Sequence, residues 1–283
     1  MVQAGYTGTK GTGLDVLRAP YLGPGDSAIP GTQAFIWESS GGHSIMNAAS
    51  LQIQHRLAHG WSGALSYTLA RAMDNASSLG AGGPVVAQND QNLDAEWARS
   101  NFDRRHQISG NVYFELPWGP NRRWLKDGGL LAGIVGEWSA RFTLTIQSGT
   151  PLTARVLGAA SDLLRGVNGS LRANYNGSPI PLGDPTVDEF FNVNAFTAPA
   201  DGQFGDSSRN IITGPGTRQL NGSLQRDVRL GGNRAVTLQV NANNLLDTVQ
   251  WAAVDTNVNS PTFGHVLSAK PMRVVTVTAR FRF

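Results

Sequence analysis

The chain has 283 residues, a length that suits one large all-β domain or two smaller ones. Only 15% of the residues are charged, against about 25% in ordinary soluble domains. The formal net charge of +3, with scattered Lys and Arg, gives no basis for a nucleic-acid interface. The absence of cysteine excludes disulfides and thiolate metal sites, and no apolar run approaches the roughly 18 residues of a membrane helix.

Alternating apolar and polar residues predict about eight β-strands along the chain, because successive side chains of a strand point to opposite faces. The run at 130–147 is the longest and fails the i, i+3, i+4 template of an amphipathic helix, so we expect one continuous strand there. The predicted strands are 2–9, 44–56, 61–72, 105–116, 130–147, 218–230, 234–244 and 273–283.

The connections between these strands differ in length in a regular way. Those at 57–60, 117–129 and 231–233 are short, whereas the loops at 10–43, 73–104, 148–216 and 245–272 are long and rich in Gly, Pro, Asn or Asp. Outer-membrane barrels have short periplasmic turns and long extracellular loops, and short and long connections alternate here without exception. The sequence therefore predicts antiparallel transmembrane β-barrel strands, apolar toward lipid and polar toward the lumen.

The C-terminal strand carries the clearest alternation, and no polar tail follows it. Its polar face includes Thr276, Thr278 and Arg280. This strand resembles the last strand of outer-membrane barrels, which the assembly machinery recognises; an ordinary edge or sandwich strand is the alternative. The predicted assembly signal is the apolar face, formed by Val275, Val277, Ala279, Phe281 and Phe283.

Two arginines on the predicted lipid face are unfavourable there, whereas the distribution of aromatic residues agrees in part with the girdles of a membrane barrel. Arg71 is expected to extend toward the outer end of its strand, and Arg226 either lies near the inner end or is shifted by a bulge at Gly222. Several aromatic residues fall at the presumed periplasmic edge, as expected of an aromatic girdle. They are Trp61, Phe114, Trp118, Trp124, Phe281 and Phe283.

The sequence gives little sign of bond chemistry, so we expect neither an enzyme nor a cofactor. His55 and His59 flank a predicted turn and are interpreted as interfacial residues. The glycine-rich segment 8–13 lacks the strand-to-helix context of a phosphate loop. Asp90, Asp94 and Glu96 carry oxygen ligands that could bind a divalent cation, although a solvated loop is the preferred interpretation.

Seven short stretches resemble segments of TonB-dependent receptors of the Oar-like type, in matching order and spacing. They are 8–12 (GTKGT), 66–76 (SYTLARAMDNA), 101–106 (NFDRRH), 147–152 (QSGTPL), 190–196 (FFNVNAF), 204–210 (FGDSSRN) and 243–247 (NNLLD). The resemblance implies a barrel of about 22 strands with a plug in its lumen and energy supplied by TonB. Residues 1–283 would be the C-terminal portion of that barrel, without the plug.

The resulting hypothesis is a bacterial outer-membrane segment that takes part in the TonB-dependent uptake of an unidentified nutrient. The expected partners are outer-membrane lipid and the barrel-assembly machinery, with TonB and the plug engaged only through an N-terminal part; nucleic acid is not a partner. Two alternatives remain open: a stand-alone eight-strand adhesion barrel, and a secreted glycan-binding β-sandwich whose apolar faces meet across two sheets.

Overall fold

The computed structural model describes residues 1–18, 37–76, 87–119, 122–126, 129–157, 171–200, 202–232 and 234–283. These residues form an all-β structure with fifteen strands, one short α-helix and two short 3₁₀ helices at Leu93–Glu96 and Val193–Ala195. The elements are β1 Val2–Arg18, β2 Trp37–Ala58, β3 Trp61–Asp74, β4 Ala98–Arg99, β5 His106–Glu115, α1 Leu130–Val135, β6 Trp138–Gln147, β7 Pro151–Leu152, β8 Asn174–Tyr175, β9 Phe196–Thr197, β10 Ile212–Thr213, β11 Thr217–Gly231, β12 Arg234–Asn243, β13 Trp251–Val254, β14 Val266–Ala269 and β15 Val274–Arg282.

One large antiparallel sheet organises the chain, and it confirms the eight predicted strands. Its order is β1-β2-β3-β5-β6-β11-β12-β15, with the two-residue β4 pairing to the side of β3. Each long strand therefore neighbours the long strands before and after it along the chain. The outer edges of β1 and β15 have no strand partner among the described residues, so the sheet in this structure is open rather than a closed barrel.

The pairing register places the apolar faces predicted for the strands from β2 to β15 on one side of the sheet. Val277 lies opposite Val240, and Val240 lies opposite Leu224. The same alignment continues at the other edge, where Leu65 lies opposite Ile53. These side chains are not covered by a second sheet: Val277 is 74% exposed. The apolar faces therefore do not form the sandwich core that the soluble alternative requires.

All three short connections lie at one end of the sheet, which is called the short-turn end below. The turn between β2 and β3 consists of His59 and Gly60, both with positive φ (52° and 82°), as a two-residue type I′ hairpin requires. Gly231, the last residue of β11, and Gly232, which follows it, also have positive φ. The connection from β5 to β6 is longer than predicted because it includes α1.

The prediction of one strand over 130–147 is wrong in its first part. Residues 130–135 form α1, and the strand begins only at Trp138. The first six residues of the run are contiguous apolar residues without a polar partner at alternate positions, so they have no two-faced character. Glu137, with φ of 60°, then reorients the backbone before the strand.

The predicted loop at 10–43 is also too long at both of its ends. β1 continues to Arg18 and β2 begins at Trp37, while the middle of that loop lies outside the described residues. The extra residues pair with each other, for example Leu17 with Glu38. The register shifts on both sides of Leu14, next to Gly13 with φ of 66°, so a glycine-rich segment continues the strand through an irregularity.

The remaining long connections are not plain loops, contrary to expectation. Their described parts pack into one unit at the end opposite the short turns, which we call the cap: residues 87–104, 148–157, 171–200, 202–216 and 244–273. Three two-stranded sheets, β7 with β10, β8 with β9 and β13 with β14, lie within it. Its hydrophobic core contains Ala154, Ala173, Ile180, Phe191, Ala195, Phe196 and Ile212.

Candidate functional site

The polar face of the sheet is lined by amide, hydroxyl and a few charged side chains. Gln239 donates hydrogen bonds from Nε2 to Oδ1 of Asn241 (3.0 Å) and to Oγ of Ser223 (3.3 Å). Arg141 lies 6.0 Å from the ring centre of Tyr113. These five side chains line a cleft of about 270 Å³. The arrangement offers hydrogen-bonding partners to a polar solute and has no apolar core.

A second, more strongly charged cleft of about 600 Å³ lies nearer the short-turn end. It is lined by Glu115, Arg122, Glu137, Asp227 and Arg229 among others. Arg122 forms an ion pair with Glu115 at 2.5 Å. Thr237 donates a hydrogen bond to the Asp227 carboxylate at 2.5 Å. Both acidic and basic groups thus face the polar side of the sheet at this level.

The cap is fixed by a buried network of ion pairs around Glu96. Arg172 Nη1 lies 2.7 Å from both carboxylate oxygens of Glu96. Arg209 Nη2 donates to the Asp74 carboxylate at 2.6 Å, and Arg209 Nε donates to the Glu96 carbonyl at 3.2 Å. All four side chains are at most 4% exposed. Because buried charges need partners, this network fixes the relative positions of the segments that supply it.

Further hydrogen bonds connect the same segments. Gln88 donates from its backbone N–H to Glu96 Oε1 (2.9 Å) and accepts at Oε1 from the N–H of Arg172 (2.7 Å). Asn210 Nδ2 donates to the Arg99 carbonyl (2.7 Å), and the N–H of Asn210 donates to Thr153 Oγ1 (2.8 Å). Hydrogen bonds between segments that are distant in sequence therefore hold the cap together.

The acidic residues considered as a cation site do not come together. Asp90 pairs with Arg18 at 2.5 Å, Glu96 is buried against Arg172, and Asp94 is exposed. Across the described parts of the chain, no group of three or more His, Asp or Glu residues could hold a metal ion. The preferred interpretation, a solvated loop, is also wrong for Glu96, because its distant arginine partners could not be inferred from local spacing.

A charge interaction joins the last two long connections, between Arg155 of the third and Asp255 of the fourth. Burial lowers the pKa of Arg155 below its ordinary value, and the nearby Asp255 carboxylate opposes this effect. Partial burial acts to raise the pKa of Asp255, but hydrogen bonds from Ser260, Thr262 and the Asn257 N–H, together with the charge of Arg155, hold that pKa below its ordinary value. The carboxylate therefore organises the turn that follows it.

The other predicted residues lie as follows. His55 stacks on Trp61 with ring centres 3.8 Å apart, and His59 occupies the adjoining turn. Arg71 is exposed near the outer end of β3. Arg226 lies opposite Trp138 and Leu238 in an unbroken register, so the suggested bulge at Gly222 is wrong.

The predicted assembly signal occupies β15, at one edge of the sheet. Val275, Val277 and Phe281 are at least 53% exposed, and Phe283 follows the strand at 89%. Ala279 lies opposite Leu238 on the same face. β15 pairs only with β12 among the described residues, so its other edge offers an unpaired row of backbone donors and acceptors. Its role in assembly stays a prediction.

Three of the stretches that carried the family resemblance contribute to the cap, and a fourth, 66–76, contacts it from the end of β3. Asp74 of 66–76 binds Arg209 of 204–210. Asp103 of 101–106 accepts a hydrogen bond from the N–H of Ala72 at 2.8 Å. Phe191 and Phe196 of 190–196 contribute rings to the hydrophobic core. Residues that are far apart in sequence thus form one structural unit, which sequence patterns alone could not reveal.

The single α-helix of the described residues is too short to span a membrane.

Comparisons with known proteins agree with this architecture. The family model described as "Outer membrane beta barrel domain" matches residues 1–276. No curated protein and no solved structure matches the chain.

Proposed function

The chain belongs to the outer membrane beta barrel domain family, and on that premise we propose that it forms the C-terminal part of the barrel of a TonB-dependent receptor of the Oar-like type. The family places the protein in the bacterial outer membrane. The finer assignment rests on the seven stretches that resemble that receptor type. In this proposal the chain takes part in uptake of a nutrient and performs no bond chemistry.

The observation that carries the proposal is the open sheet with one continuous apolar face. Backbone groups in hydrocarbon must be satisfied within the protein, so the edges of β1 and β15 must pair either with each other or with further strands. Among the described residues they do not pair with each other, which favours further strands. Additional strands would widen the barrel beyond eight and leave room for a plug. This favours the receptor over the stand-alone eight-strand adhesion barrel, which needs β1 to pair with β15.

The polar face and the cap support a role in uptake. The cap covers the end that carries the long connections, which is extracellular in outer-membrane barrels. The clefts around Arg141 and Gln239, and around Glu115 and Arg229, line the presumed lumen below it. A solute that passes the cap would meet hydrogen-bonding side chains along this face, and the plug would contact the same groups when it closes the lumen.

The test uses the intact protein isolated from outer membranes in detergent. We expect it to bind the purified periplasmic domain of TonB, and the reading frame that encodes these residues to specify a plug pattern upstream of them. A reading frame with only a signal peptide before the first strand, together with absence of TonB binding, would overturn the receptor proposal. The outer-membrane barrel assignment would stand in that case.

A further inference from the structure

The connection between β5 and β6 carries an unusual concentration of exposed apolar side chains at the short-turn end. We call this set the interfacial patch. Its members are Trp118 (37% exposed), Trp124 (50%), Leu125 (39%), Leu130 (88%), Leu131 (68%) and Ile134 (65%). Within α1 only Ala132 is buried. An isolated six-residue helix is marginal in water, and a contiguous apolar surface of this kind marks a contact with another apolar phase.

Two hydrogen bonds connect the interfacial patch to side chains on the apolar face of the sheet. The indole N–H of Trp138 donates to the carbonyl of Ile134 at 3.1 Å, and Arg226 Nη1 donates to the same carbonyl at 2.7 Å. Trp138 and Arg226 lie opposite each other on that face. The patch therefore continues the surface that faces hydrocarbon in this family. The contact also explains the position of Arg226, whose guanidinium shares the Ile134 carbonyl near the end of α1 with the Trp138 indole.

Basic side chains accompany the apolar ones. The guanidinium of Arg123 lies 5.4 Å from the ring centre of Trp124, and both Arg123 and Lys126 are exposed. Arg122 differs from them, because it is paired with Glu115 on the polar side. Glu137 also lines the polar cleft and not the patch. Exposed cations beside an amphipathic aromatic ring suit the phosphate layer of a bilayer.

We propose that the interfacial patch lies in the headgroup layer of the leaflet that faces the periplasm and binds an anionic phospholipid there. Arg123 and Lys126 contact the lipid phosphate, while Leu130, Leu131 and Ile134 lie among the upper acyl carbons. The leaflet follows from the short-turn end, because the short turns of outer-membrane barrels are periplasmic. The proposal depends on family membership and not on TonB-dependent uptake, so either can fail without the other.

The first experiment locates the patch relative to the bilayer. The 283 residues contain no cysteine, so a spin label at Leu131→Cys in the intact protein has no competing site within them. In nanodiscs of phosphatidylethanolamine and phosphatidylglycerol, we expect the label to collide more often with oxygen than with a water-soluble nickel chelate. The matched control is Asp184→Cys, an exposed cap position, which should show the reverse preference.

Two results from this experiment would overturn the proposal. Equal access of the nickel chelate to the labels at 131 and 184 would place the patch in water. Shielding of the label at 131 from both oxygen and the nickel chelate would mean that protein, such as a second copy of the chain, covers the patch.

The second experiment measures lipid recognition by titrating short-chain phosphatidylglycerol against the detergent-solubilised protein. Arg123→Gln combined with Lys126→Gln should weaken binding by roughly fivefold for each charge removed. Arg280→Gln combined with Arg282→Gln removes two charges from the polar face at the same end, and should leave the affinity unchanged. Equal effects of the two double variants, or no effect of the first, would contradict a phosphate site at Arg123 and Lys126.

Discussion

The sheet and the cap use the same kinds of residues in opposite ways. In the sheet, Val277 and Leu65 project from one face without a protein layer over them. In the cap, Phe191 is 2% exposed and lies among other rings, with Phe263 at 5.3 Å between ring centres. Apolar side chains of the sheet are thus arranged for hydrocarbon, whereas those of the cap are arranged for a protein interior.

The charges show the same contrast. In the sheet, charged side chains such as Arg141 and Asp227 line open clefts on the polar face, while Glu96 and Arg209 of the cap are nearly inaccessible to solvent. The sheet gains its order from backbone ladders and the bilayer, and the cap gains it from side-chain packing and paired charges. We therefore expect substitutions to affect one region without the other.

The largest expected effect comes from the cap core. Phe191→Ala removes a buried ring and should destabilise the cap by about 3–5 kcal/mol. Hydrogen exchange of cap amides in the bilayer-embedded protein measures this, and exchange in β11 and β12 should remain slow. Phe102→Ala is the matched control, because Phe102 is 59% exposed. Equal loss of protection in cap and sheet would show that the two regions unfold together.

Breaking the buried ion network should have a similar or somewhat smaller effect. Glu96→Gln leaves Arg172 and part of the Arg209 interaction without a countercharge, which should cost about 3 kcal/mol or more. Asp94→Asn lies on the same 3₁₀ helix, is exposed, and should change little. Limited proteolysis within 171–200 reports the opening of the cap; indistinguishable cleavage of the two variants would refute a fixing role for Glu96.

Substitutions at two adjacent positions of β15 test whether the two faces of the sheet differ in their surroundings. Val277→Arg places a charge on the apolar face near the middle of the strand, where it should cost about 2–4 kcal/mol. Thr278→Arg places the same charge on the polar face and should cost little. The difference in unfolding free energy, measured by urea titration in lipid vesicles, sharpens the comparison. Similar values for both variants would argue against lipid on the Val277 side.

The smallest expected effect depends on pH and is confined to the cap. The pKa of Asp255 is lowered in the folded protein, so its stabilisation is fully present above its ordinary pKa of 3.8 and is lost as the pH falls through the lower folded value. Amide protection around 255–265 should therefore be constant near pH 5 and decrease below pH 3.8. Asp255→Asn should abolish this pH dependence; an unchanged profile would assign it to another group.

The two regions also differ in how far the sequence could predict them. The alternation of apolar and polar residues is a local property, so it predicts the eight strands and their apolar faces, apart from the first part of 130–147. The lengths of the connections predict which end of the strands faces the periplasm. The cap depends on partners such as Asp74 and Arg209, which are 135 positions apart. No periodicity relates such residues. The segment at 130–137 was mispredicted because a contiguous apolar run fits a strand and a short helix equally well.

The central claim is that lipid, and not protein, contacts the apolar face of the sheet. A spin-label scan through residues 236–243 of β12 in a bilayer tests it most directly. The account predicts that labels at Val236, Leu238, Val240 and Ala242 collide preferentially with oxygen, while those at Thr237, Gln239, Asn241 and Asn243 collide preferentially with a water-soluble nickel chelate. The absence of this two-residue alternation, or its reversal, would contradict the account.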